Sequence, residues 1–130
     1  IEQLKYVGAN LEKNRMNAAQ YSNAFSSLAN IAPLRYKNDR VSSYWLYTLR
    51  VKNPPVFAEW MKKAKIVASQ VHARNDKHAV FKDFITDLPG VDEFASRQMC
   101  IPVGWWLTRE DISRIIDTIV SYEPCLGRRR

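Results

Sequence analysis

The densest cluster of side chains able to do chemistry is the run Val71-His72-Ala73-Arg74-Asn75-Asp76-Lys77-His78. His72, Asp76 and His78 are metal-ligand types, but the spacing H-x3-D-x-H matches no strong metal-site template. An anion or sugar site is the alternative chemistry. A guanidinium such as Arg74 grips phosphate with two N–H groups, and Asn75, His72 and His78 hydrogen-bond hydroxyls. A purely structural polar loop accounts for the same composition.

The second feature is Val103-Gly104-Trp105-Trp106-Leu107. In extended chain, neighbouring side chains point to opposite sides, so one tryptophan is expected in the core and the other exposed. Core packing explains the pair, and so does a wall that stacks a sugar or a base. Tyr44, Trp45 and Tyr47 are aromatic enough to stack bases, yet apolar neighbours point to core packing. No G-x-S-x-G, P-loop or G-x-G-x-x-G is present, and no activated nucleophile stands out. Cys100 and Cys125 form no C-x-x-C pair, which excludes zinc-ribbon and thioredoxin readings. Cys100, between Met99 and Ile101, reads as a buried free thiol in a reducing setting.

These residues need elements to hold them. Leu4, Val7, Leu11, Ala18, Tyr21, Phe25 and Leu28 recur at helical spacing and predict one long N-terminal helix. Pro33 ends anything that continues from it, and 35–42 reads as a loop. Residues 43–51 are aromatic and β-branched and predict a strand, covered on both faces at its start. Asn53-Pro54-Pro55 opens a helix whose buried stripe is Phe57, Trp60, Met61 and Ala64. Lys62, Lys63 and Lys65 then suit its C-terminal dipole. Residues 66–71 predict a second strand and 98–103 a third that ends near Pro102. Short helical turns are expected at 79–84 and around Val91 and Phe94, with Leu88-Pro89-Gly90 a turn between them. Thr108-Arg109-Glu110-Asp111 caps a last helix, with Ile112, Ile115, Ile116, Ile119 and Val120 inward. The expected fold is α/β in the α+β sense: a small three-stranded, mainly antiparallel sheet covered by helices.

The whole chain has 130 residues, with 46% hydrophobic and 25% charged, a composition that folds rather than stays disordered. No apolar run approaches the ~18 residues of a membrane span. The net charge is +7, and three of those charges are the terminal Arg128, Arg129 and Arg130. The charge therefore argues little for nucleic acid. No signal peptide is seen. The first residue is Ile1 and no helix-start signal precedes Leu4, so the sequence reads as a piece of something longer.

Taken together, Ile1-Glu2-Gln3-Leu4-Lys5, Ser43-Tyr44-Trp45-Leu46-Tyr47, Val71-His72-Ala73-Arg74-Asn75-Asp76, Leu88-Pro89-Gly90 and Ile101-Pro102-Val103-Gly104-Trp105-Trp106-Leu107-Thr108 resemble the C-terminal part of the DegT/DnrJ/StrS family. These are pyridoxal-phosphate-dependent aminotransferases of nucleotide-activated keto-sugars. The resemblance runs over almost the whole chain and implies the small domain of a fold-type-I aminotransferase. It implies one domain over 1–125, with 1–30 a lead-in helix and 126–130 a flexible basic tail. It places the cofactor and its Schiff-base lysine in a large domain with no counterpart here. The chain alone would then bind no pyridoxal phosphate and be inactive. It implies a keto-sugar and an amino donor as partners of the intact enzyme, a homodimer, a cytoplasmic setting, and no membrane or nucleic acid. His72, Arg74, Asn75 and His78 become the expected substrate-binding residues, with Trp105 and Trp106 shaping or supporting the same region. Asn14-Arg15-Met16-Asn17 resembles a family motif near the cofactor but stands in the wrong order. Arg15 and Asn17 are therefore expected to be ordinary helix-surface residues. The alternative from a different class is a stand-alone, non-enzymatic module binding anionic ligands or protein partners.

Overall fold

The computed structural model of the chain describes residues 2–126, with side chains to residue 122. Most of the expected tail and the Cys125 side chain lie outside the described residues. A short 3-10 turn, Glu2–Tyr6, leads into α1 (Val7–Phe25). Then come β1 (Ile31–Pro33), β2 (Tyr47–Val51), α2 (Pro54–Lys63), α3 (Pro89–Arg97), β3 (Gln98–Ile101) and α4 (Arg109–Leu126). The sheet is antiparallel throughout, in the order β1-β2-β3. Its register sets Ile31 opposite Val51 and Thr48 opposite Cys100.

The strand count meets the expectation, but the membership does not. Residues 66–71 make no strand. Only Ser69 bridges to Cys100, through Cys100 N–H to the Ser69 carbonyl at 2.8 Å and Ser69 N–H to the Cys100 carbonyl at 3.2 Å. The reason lies just upstream. Lys65 takes a left-handed φ of 57°. Its N–H bonds the Lys62 carbonyl, and Ile66 N–H bonds the Met61 carbonyl, closing α2 with a Schellman motif that turns the chain away. The third strand is instead β1, a stretch to which the sequence reading assigns no element. It sits on the sheet edge, where the missing N–H of Pro33 is tolerated.

β2 is shorter than expected because Tyr44 adopts φ 47°, which breaks the extended run. Tyr47, Leu49 and Val51 then point to the core, and Thr48 and Arg50 to the opposite face. Trp45 is not covered: it is 71% exposed. Leu88-Pro89-Gly90 is not a free turn, since Pro89 begins α3.

α1 buries Ala18, Tyr21 and Phe25, but Leu4 and Val7 are exposed. The expected stripe is half covered for a geometric reason. A 19-residue helix is about 28 Å long, whereas the five residues of β2 span about 17 Å. The first half of α1 overshoots the sheet. The core joins this buried half to Phe57 and Met61 of α2 and to Ile112, Ile115 and Ile119 of α4. Tyr21 meets Tyr47 edge-to-face at 5.2 Å, and Phe57 meets Tyr122 the same way at 5.3 Å. Burial pushes the Tyr47 phenol up to about 12 and raises Tyr21 further. Helix ends follow the sequence closely. Asn53 accepts from Val56 N–H, and Thr108 and Asp111 cap α4 reciprocally at 3.0–3.1 Å.

Candidate functional site

The 72–78 loop leaves the Ser69 bridge and is strapped down by neighbouring side chains. The Gln98 amide, buried in β3, donates to the His72 carbonyl. Gln70 donates to the Ala95 carbonyl of α3 at 3.0 Å. A 3-10 turn, Asn75–Lys77, closes the loop, with His78 N–H on the Asn75 carbonyl at 3.0 Å.

Arg74 is the loop's anchor. Its Nε and one Nη donate to both Asp76 oxygens, at 2.8 and 2.6 Å, and its other Nη donates to Asp92 of α3. The Arg74 side chain is 10% exposed and that of Asp76 17%. The hydrogen bonds from Arg74 hold the Asp76 carboxyl below the usual carboxylate range. Arg74 thus meets two carboxylates here. A substrate phosphate would have to compete with both.

The other expected site residues, His72, Asn75 and His78, are exposed on the same loop. His72 has an aromatic neighbour: Trp45 lies edge-on at 6.2 Å between ring centroids. His72 of the loop thus presents an imidazole beside the Trp45 indole, a pair suited to hydroxyl hydrogen bonding next to a flat apolar face. Among the described residues, no three His, Cys, Asp or Glu side chains group as a metal site.

The tryptophan turn is a separate structure. Trp105 and Trp106 are both exposed, at 50% and 62%, which corrects the expectation of one core member. The chain has already left β3 and turns there, so strand alternation does not apply. The two rings stand edge-on at 6.0 Å, and Trp106 folds back over Gly104, occupying the space a Cβ would need. Among the described residues no hydrogen bond or ring contact joins this turn to the 72–78 loop.

α1 positions the turn. Tyr21 OH donates to the Pro102 carbonyl at 2.9 Å. Asn17 Nδ2 donates to the Val103 and Gly104 carbonyls, both at 3.1 Å. Asn17 is 1% exposed, so it is a buried clamp and not the surface residue the sequence suggests. Arg15 is exposed as expected and donates to the Ser42 carbonyl, while Asn14 reaches the Ser43 and Tyr44 carbonyls.

Sequence reasoning missed Asp92, Gln98 and Trp45 as parts of the loop's setting. Gln98 carried a signal, a polar residue opening an apolar strand. Asp92 had none, because an acid in a helix's first turn needs no explanation beyond the dipole.

A small α+β domain with one strapped polar loop defines the class. The family model for the DegT/DnrJ/EryC1/StrS aminotransferase family matches residues 1–120, and the chain belongs to that family. The sugar aminotransferase CalS13 from Micromonospora echinospora is 37% identical and superposes with a TM-score of 0.87, over 91% of this chain and 32% of its own. AtS13 from Actinomadura melliaura is 36% identical, with a TM-score of 0.86 over 91% of this chain and 32% of its own. Helicobacter pylori PseC, an aminotransferase of pseudoaminic acid biosynthesis, shares the fold at 18% identity, with a TM-score of 0.82 over 95% of this chain and 35% of its own. The chain thus spans about a third of the length of the solved structures it matches. No curated protein matches it significantly.

Proposed function

We propose that this chain is the small, C-terminal domain of a pyridoxal-phosphate-dependent sugar aminotransferase, acting on a nucleotide-activated keto-sugar. The observation that supports it most is the 37% identity to CalS13 across 91% of the chain. In this reading residues 1–125 form one domain followed by a short basic tail. The intact enzyme is a cytoplasmic homodimer. His72, Asn75 and His78 meet the sugar or its phosphates at the site mouth, with Trp45 as a flat neighbour. Arg74 first holds the loop in shape and reaches substrate only by exchanging a carboxylate.

The cofactor itself has no cradle among the described residues. A Schiff-base lysine is sheltered from water, yet none of the described lysines is buried. The residues present do not fit the group, and we assign its site to the remaining two thirds of the family's length. No step of the transfer is therefore drawn through this chain. Its part is to bind and orient substrate and to exclude water.

The test is to incubate the chain with pyridoxal phosphate, reduce with borohydride, and map any adduct. No stoichiometric lysine adduct is expected. A single lysine trapped at one equivalent overturns the division of labour. In a whole enzyme carrying this domain, His72→Ala and Asn75→Ala should raise KM for the keto-sugar about tenfold or more, with kcat less affected. Unchanged KM in both variants removes the loop from the site.

A further inference from the structure

We propose that the outer face of the sheet, at the β1–β2 edge, carries a binding site for the phosphate or diphosphate group of a small molecule. The site is separate from the 72–78 loop and does not rest on the aminotransferase reading. A cavity of about 350 Å³ opens there, lined by Ala32, Arg50, Lys52 and Arg97 among others. Its shape follows from register. Arg50 points away from the core, and its partner on β1 is Ala32, whose small side chain leaves the space over the strand pair open. Arg97 enters from the last turn of α3 and Lys52 from the residue after β2.

The electrostatics are unbalanced. Glu93 of α3 accepts from Arg50 Nη2 at 2.6 Å and lies 3.3 Å from Arg97 Nη1. One carboxylate thus serves two guanidiniums, and Lys52 lines the same cavity. Arg50 Nε is buried and has no acceptor among the described residues. A buried N–H donor without a partner is costly, so Glu93 leaves the Arg50 guanidinium incompletely matched. Guanidinium groups suit phosphate because they offer paired, fixed donors. The volume exceeds what a lone carboxylate needs and accommodates a diphosphate.

Glu93 gives the proposal a signed test, because it competes with the anion for Arg50 and Arg97. The 130-residue chain is titrated with inorganic pyrophosphate at constant ionic strength. Calorimetry gives affinity, and the arginine Nε–H resonances report the site. Arg50 Nε–H should move saturably. Exposed pairs are worth a few-fold each, so Lys52→Gln and Arg97→Gln should each weaken binding about three- to fivefold. Glu93→Gln should tighten it about threefold. The proposal is overturned if Arg50 Nε–H does not move, if Glu93→Gln weakens binding, or if the Lys52→Gln/Arg97→Gln pair binds like the parent. That last result would put the anion elsewhere, for example on the terminal arginines. Lys52, Glu93 and Arg97 are all exposed, and the Arg50 signal of the parent remains decisive if a variant fails to fold.

Discussion

Replacing Asn17 should show that α1, rather than β3, holds the tryptophan turn. Asn17 Nδ2 makes two hydrogen bonds of 3.1 Å to successive carbonyls, in a site closed to solvent. A net neutral hydrogen bond is worth about 1 kcal/mol, so Asn17→Ala loses about 2 kcal/mol from the pair. Part returns because the Asn17 Oδ1, buried without a partner among the described residues, leaves with the amide. The expected cost is about 1.5 kcal/mol, measured as a lower denaturant midpoint at unchanged slope. Asn17→Asp keeps the shape but turns an acceptor toward two carbonyls. An unpaired buried carboxylate costs about 3–5 kcal/mol. Burial raises the new carboxyl's folded pKa above its unfolded value near 4. The penalty is therefore absent below about pH 4 and grows as pH rises toward that folded value. Tryptophan fluorescence should shift at midpoints well below that of the parent protein. A cost under about 0.5 kcal/mol for Asn17→Ala, or an Asn17→Asp variant equally stable at pH 4 and pH 7, would refute the clamp.

Three further outcomes test other links. Gly104→Ala should displace the Trp106 ring, which occupies the Cβ position. Because Trp106 is exposed, the chain should still fold, with loss of the near-ultraviolet dichroism of the edge-on pair and under about 1 kcal/mol of stability. Lys65→Gly should stabilise by about 0.5–1 kcal/mol in urea unfolding, since Lys65 holds φ 57° at the Schellman position; a loss would contradict the strain. Asp111, capping α4, is held below the usual carboxylate range first by the Thr108 backbone N–H and then by its hydroxyl. Its contribution is present above the ordinary value near 4 and lost as pH falls through the lowered one, so Asp111→Asn should flatten the acid limb of the stability curve.

How much of this was legible in the sequence differs by element. α2 and α4 declared themselves through Asn53-Pro54-Pro55 and Thr108-x-x-Asp111, because caps act within one turn of chain and need no distant partner. The apolar rows named the core at Phe57, Met61, Ile112, Ile115 and Ile119 for the same local reason, whereas Trp60, Ala64 and Ile116 are only partly buried and Val120, expected inward, is exposed. The 72–78 loop was visible as a polar cluster after an apolar run, and it is a loop.

Tertiary structure alone decided the rest. Residues 66–71 have strand composition, yet a left-handed Lys65 and a single bridge at Ser69 leave them unpaired, while the unpromising 31–33 becomes an edge strand because β2 had an edge to fill. Asn17 looked like a surface residue, since helical spacing cannot say which carbonyls lie across from it. The fold brings those of Val103 and Gly104, 86 and 87 residues away, onto its amide. Arg74 looked free to take a phosphate until α3 delivered Asp92 to it. Composition and periodicity report what a residue does to its own few neighbours. Partners far along the chain are chosen by packing, and that is where both the loop's anchor and the basic cavity were made.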